Sequence, residues 1–283
     1  MKDAITDAFV PADMAKRAET SAIRKGNRDF ISAFFLAVQA GAFISFGAAL
    51  FTSVVQDSTL GIGLTKLIGG VTFSLGLILV VIAGADLFTG DTLMVMACFS
   101  RKIKVRQMLR SWGFVLVGNL VGALAVVLLV YFSGHWINGS CGVGAKALTI
   151  ANAKVNLSFL QAFSSGMLCN ILVCLAIWLC HSCRSVTDKI LAILFPITAF
   201  VAMGFEHSIA NMYFIPAGLL LKNNPEVMGL LNGIDLSNLT LHGFVFNNLV
   251  PVIIGNMVGG AIFVGTVYWI LYLRNPEEIG EHS

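Results

Sequence analysis

This sequence is short of charge. Asp, Glu, Lys and Arg make up 12% of its 283 residues, against roughly 25% in a soluble domain. With 57% hydrophobic residues, that shortage excludes an ordinary soluble fold and indicates an integral membrane protein. A cleavable signal peptide is not expected, because residues 1–28 are polar, mixed in charge and without an apolar h-region. A disulfide framework is missing too: Cys98, Cys169, Cys174, Cys180 and Cys183 fall in apolar blocks or at their inner ends, and only Cys141 lies outside. Cys180 and Cys183 form a C-x-x-C, but a second pair that would complete a zinc or redox site is lacking. No H-E-x-x-H or comparable cluster occurs, which argues against a metal enzyme built on Asp86, Asp91, Glu206 and His207. Neither catalytic residues, a metal nor a cofactor is implied. Three N-x-S/T triplets, at Asn138, Asn156 and Asn238, fall in predicted outer loops and are short enough to arise by chance.

What the chain has is long apolar runs. A spanning helix needs about 20 apolar residues, and six blocks qualify, at 30–55, 63–98, 109–132, 158–180, 188–221 and 243–273. The reading is an all-α membrane protein with six transmembrane helices. The second and fifth blocks are too long for one straight helix, and both carry polar interruptions. Six Lys and Arg precede the first block, five cluster at the second connection, two lie in the fourth connection and one follows the sixth block, fourteen of 18 in all. Lys66, Lys146, Lys154 and Lys222 remain for the other side. The positive-inside rule then puts both termini in the cytoplasm. This topology accounts for the formal net charge of +3, so no nucleic-acid partner is called for.

An internal repeat is visible. "GNLVGA" at 118–123 matches "GNMVGG" at 255–260, and "AGADLFTGDTLMVMA" from Ala83 matches "MGFEHSIANMYFIPA" from Met203. The second pair shares a glycine, an acid two residues later and an alanine eleven beyond the acid, so Gly84 and Asp86 correspond to Gly204 and Glu206. Three spans per half force the second half to enter from the opposite side. An inverted 3+3 repeat with paired broken helices is a signature of transport proteins, with the substrate path at the repeat interface. The interruptions at 84–91 and 204–211 are therefore the pointers to a pathway, since irregular backbone at that depth must line a cavity or be buried in protein. Asn119 and Asn256 can bond carbonyls freed at the breaks. Gly118–Gly122 and Gly255–Gly259 are G-x-x-x-G pairs suited to close helix packing. Adjacent helical positions do not face the same way, so Glu206 is expected to hold the break in shape, through backbone N–H groups or Asn170, while His207 handles substrate.

Taken together, "GADLFTGD", "GFEHSIANM" and the two "GN(L/M)VG" segments resemble the formate–nitrite transporter family, and within it most the formate channels. The likeness runs from "PADMAKRA" at 11–18 to "YWILYLR" at 268–274. It implies an aquaporin-like protomer in a bacterial inner membrane, assembled as a homopentamer among membrane lipid, with one pore per subunit. It further implies an inner constriction at Leu77, Leu87 and Phe88, an outer one at Phe73 and Phe200, and path residues Thr89, His207, Asn256 and Lys154. Gly84, Gly204, Asn119, Asn170 and Glu206 would be structural at the breaks. Asp91 fits no such role and is expected to point elsewhere or tie the loop down. The implied function is a pH-sensitive channel or transporter for formate and similar small monovalent anions, with proton coupling at the central histidine; the alternative is a nitrite or hydrosulfide channel. Apolar gates suit this chemistry. Moving a bare carboxylate into low dielectric costs on the order of 20 kcal/mol, whereas protonating one of pKa ~4 at pH 7 costs roughly 4 kcal/mol.

Residues 1–28 read as a cytoplasmic amphipathic segment, 29–274 as the channel domain and 275–283 as a cytoplasmic tail. The "MAKRAETSAIRK" stretch is expected to lie on the membrane surface, and the resemblance implies that it closes the inner mouth at low pH.

Overall fold

The computed structural model describes residues 8–231 and 233–275. A first helix, α1 (Pro11–Gly26), precedes the spans. Six helical segments are long and apolar enough to cross a membrane: α2 (Phe30–Val55), α3 (Ile62–Gly84), α5 (Val105–Phe132), α7 (Phe159–Ser182), α8 (Val186–Met203) and α10 (Gly243–Tyr272). Two shorter apolar helices, α4 (Phe88–Phe99) and α9 (Ser208–Leu221), complete the second and fifth spans. One further helix, α6 (Gly142–Val155), joins the two halves. It has two lysines in fourteen residues and is too short to span, so apolar run length gave no signal for it.

Local chemistry sets the boundaries. Asp29 caps α2 by accepting from the Ser32 N–H at 2.9 Å, and Ser158 with Gln161 forms a reciprocal capping box at the start of α7. The breaks begin at glycine. Gly84 (φ 84°) and Gly204 (φ 75°) are left-handed, a conformation that ends a helix and penalises any residue with a Cβ. The chain then runs extended for a few residues before α4 and α9 start afresh.

The halves pack alike. α2 lies against α5, where a Cβ on Gly122 would stand 1.9 Å from the Val38 carbonyl oxygen. α7 lies against α10, where a Cβ on Gly259 would stand 2.2 Å from that of Met167. Backbones approach this closely only through small residues. The sixth span relaxes into π-helical turns at Gly243–Leu249 and Val258–Thr266, an irregularity that periodicity does not announce.

The apolar stripe of the N-terminal helix packs against other helices. Met14, Ala15, Ala18 and Ala22 of α1 are buried, Met14, Ala15 and Ala18 in a cluster with Met96 and Trp178. An apolar stripe of mostly alanines is too narrow to anchor a helix in lipid, but it fits closely against other helices. Residues 1–7 and 276–283 lie outside the described residues.

Candidate functional site

Each break is held by one asparagine. Asn119 and Asn256 are fully buried. Asn119 Oδ1 accepts from the Phe88 N–H at 3.0 Å, while its Nδ2 donates to the carbonyls of Asp86 at 3.0 Å and Ala37 at 2.7 Å. Asn256 Oδ1 accepts from the Ser208 N–H at 3.0 Å, and its Nδ2 donates to the carbonyls of Glu206 at 3.1 Å and Gly166 at 2.7 Å. The two sets superimpose under the repeat, because Phe88 and Ser208 each follow the matched acid by two residues. Asn256, assigned to the path by resemblance, has its polar atoms committed to backbone, as Asn119 has. Asn170 joins the breaks, donating to the carbonyls of Thr89 at 3.1 Å and Asn256 at 2.6 Å.

The acids at the breaks are locked to bases on opposite sides of the molecule. Glu206 takes Lys154 Nζ at 2.7 Å on one oxygen and the side-chain amides of Asn211 at 2.7 Å and Asn248 at 3.0 Å on the other. Asn170 is not among its partners, contrary to expectation: the carboxylate points toward α9 and the start of α10. Asp86 meets Arg28, with Lys25 Nζ at 3.4 Å, and Asp91 meets Lys25. Asp91 therefore ties the break loop to α1, and Trp112 Nε1 steadies it by donating to its carbonyl at 2.9 Å. Burial pulls the Lys25 ammonium down, but Asp91 and then Asp86 outweigh it and leave its pKa above the ordinary lysine value.

His207, in the second break, faces Thr89 of the first. It is the N-cap of α9: its Nδ1 accepts from the Ala210 N–H at 3.1 Å, which puts the proton of the neutral ring on Nε2. That nitrogen is 3.0 Å from Thr89 Oγ1. The Phe200 ring stacks on the imidazole at 5.9 Å and 23°, and Phe73 stands edge-on to Phe200 at 5.8 Å and 84°. A cavity of about 1120 Å³ reaches this group from one side, lined by Phe73, Phe200, Glu206 and His207 and also by Lys66, Lys146 and Lys154. Those are three of the four lysines that the charge pattern leaves on the side opposite the termini, and the cavity forms a vestibule to this group.

Glu206 and His207 both line this vestibule, although adjacent positions on a helix would diverge. The reason is local: His207 is extended (φ −108°, ψ 114°), so the helical rule does not reach it. Lys154 is paired with Glu206 and lies 5.4 Å from the Phe214 ring centre. Lys66 and Lys146 carry the vestibule's positive charge that has no carboxylate partner among the described residues. Leu77, Leu87, Phe88 and Thr89 do not line the cavity and are almost completely buried, with Phe88 edge-on to Trp112 at 6.3 Å. Gly84 and Gly204 open the breaks, as expected.

Sequence reasoning missed Lys25, Arg28, Asn211 and Asn248. The repeat did mark Asp86 as the mate of Glu206, so a base near each acid could have been sought. Among the described residues no group of three or more His, Cys, Asp or Glu could hold a metal ion. Asp86, Asp91 and Glu206 are taken up by bases instead, and Cys180 and Cys183 point their thiols at backbone carbonyls.

Known proteins match this chain along nearly its full length. It is 42% identical over 276 residues to the formate channel FocA of Escherichia coli strain K12, covering 96% of this chain and 97% of that one. A probable formate transporter of Methanothermobacter thermautotrophicus is 38% identical over 281 residues, covering 93% and 97%. Among solved structures, a pentameric formate channel with formate bound superimposes with a TM-score of 0.80 at 40% identity, covering 87% of this chain and 98% of that one. An ion channel of the FNT family gives 0.79 at 30%, covering 92% and 98%. The family described as formate/nitrite transporter matches residues 12–270, and the chain belongs to that family of membrane transporters.

Proposed function

We propose that this protein is a pH-sensitive channel for formate and similar small monovalent anions, working as a homopentamer in a bacterial inner membrane with both termini in the cytoplasm. Residues 29–274 form the channel body, 1–28 a cytoplasmic segment and 275–283 a tail. The observation that carries this reading is the buried contact between His207 Nε2 and Thr89 Oγ1, 3.0 Å long, where the vestibule ends against Phe73 and Phe200. With Nε2–H donating to Oγ1, the Thr89 hydroxyl proton stays free for a carboxylate, and Nε2–H can turn to one that displaces the hydroxyl, at the place where apolar walls make its charge most costly.

In this reading Lys66 and Lys146 draw the anion into the vestibule, raising its entry rate. Phe73 and Phe200, then Leu77, Leu87 and Phe88, favour the species that has lost its charge. His207 donates through Nε2. The neutral ring cannot surrender that proton, since imidazolate is too basic. Delivering a proton requires the doubly protonated ring, which cannot accept from the Ala210 N–H. Proton transfer is thereby coupled to uncapping α9.

Competing formate, nitrite and hydrosulfide uptakes into proteoliposomes test the substrate. Formate entry well above that of empty vesicles, and faster than either rival, is expected. Entry no faster than into empty vesicles would reject the reading, and faster nitrite or hydrosulfide would move the chain to the alternative substrate.

A further inference from the structure

A second concave site shares no lining residue with the vestibule and lies at the end of the bundle that carries most of the Lys and Arg. It has a volume of about 350 Å³ and is lined by Lys16, Arg17, Thr20, Ser21, Arg24 and His181. Arg17, Thr20, Ser21 and Arg24 are spaced i, i+3, i+4 and i+7, one face of α1. That face adjoins the stripe of Met14, Ala18 and Ala22, which is buried. His181 comes from the last turn of α7, so two helices close the pocket.

No carboxylate among the described residues lines it. Lys16 has a partial partner in Asp13, at 3.6 Å, and Thr20 gives its hydroxyl proton to the Lys16 carbonyl. Arg24, Ser21 and His181 have no hydrogen-bond or ion-pair partner among the described residues. Arg17 rests 4.0 Å from the centre of the Phe9 ring, which fixes its position while its N–H groups remain to donate. A cluster of like charges is held together here by packing against its own repulsion, and what would relieve that repulsion is an anion with several acceptor oxygens. Phosphate has the matching geometry for guanidinium forks.

The level in the membrane favours the same chemistry. Trp178, one turn before His181, stacks on Tyr268 at 3.9 Å and lies near Tyr272, and Trp269 donates to Ser100 at 3.0 Å. Trp178 is buried, whereas Tyr268, Trp269 and Tyr272 are part-exposed near the end of α10; part-exposed aromatic groups of this kind mark the headgroup layer, and basic pockets at that level take anionic lipid headgroups.

We propose that the pocket between α1 and the end of α7 is a binding site for a phosphate group, carried by an anionic lipid or by a soluble phosphate ester. The proposal is independent of what the channel conducts. Because α1 also carries Lys25 and leads into Arg28, an occupied pocket would brace the helix that is locked to the first break.

Native mass spectrometry of the full-length protein tests it, with phosphatidylglycerol, phosphatidylcholine and glycerol 1-phosphate as probes. Phosphatidylglycerol retained in preference to phosphatidylcholine, and about tenfold less in Arg17→Gln/Arg24→Gln, supports the lipid source. Glycerol 1-phosphate bound with the same loss supports the soluble one. Arg24→Gln alone, on an exposed side chain without a partner among the described residues, guards against misfolding and should show part of the loss. Lys102→Gln, an exposed base at the same end but outside the pocket, should show none. Equal retention of all probes, or the same loss in Lys102→Gln, would overturn the site.

Discussion

Asn119 and Asn256 show what a single side chain does at this depth. Each satisfies one backbone N–H and one backbone carbonyl at a break and also bonds a carbonyl of a neighbouring helix; an orphaned polar group at the break costs about 1–3 kcal/mol. Replacing either by alanine is expected to lower the thermal midpoint of the detergent-purified protein by a similar, large amount. Asn256→Ala that left stability intact while changing flux would restore the pore-facing role. The repeated "GN(L/M)VG" made both asparagines legible in the sequence. Which way their amides point was not, because their partners lie dozens of residues away in the chain, as far as 90 from Asn256. The same holds for Glu206, whose Lys154 partner is 52 residues distant.

At the scale of the element, the unit that matters is the broken helix together with the piece locked to it. Lys25 and Arg28 bring α1 onto Asp86 and Asp91. Removing both bases leaves two buried carboxylates without their partners, which is costly. Because the bases are partly exposed, the effect is discounted to about a tenfold increase in tryptic cleavage of α1 in Lys25→Met/Arg28→Met. Cleavage at the wild-type rate would show that the ion pairs do not hold the helix. The raised Lys25 pKa gives a sign to the pH dependence. Its contribution is complete below the unfolded-state value of about 10.4 and is lost only as pH climbs past the higher folded one. Raising the pH from 7 to about 9 should therefore leave the tryptic rate of docked α1, corrected for trypsin's own pH dependence, unchanged. The break glycines could be read directly, since a glycine two residues before an acid recurs in both halves. The docking of α1 could not, since a narrow stripe of alanines reads alike for a lipid surface and for a helix face.

For the whole molecule, run length was enough to give six spans, and the matched "GN(L/M)VG" and glycine–acid segments an inverted repeat, with the bounds of most spans met to within a few residues. The loop-like segment between the halves escaped because α6 is too short and too charged to register. The repeat puts one acid–base lock on each side of the membrane and leaves His207 between them, facing Thr89. The central claim is that charge is cancelled at this point so that apolar gates can be crossed. Formate uptake into proteoliposomes as a function of pH, in wild type and His207→Asn, tests it most directly, because asparagine is itself a good N-cap and keeps α9 begun while removing the titrating ring. Wild-type uptake should rise by up to about tenfold per unit as pH falls from 7 to 5, following the neutral acid, and His207→Asn should flatten that profile. A variant that keeps the wild-type slope would contradict the role given to His207.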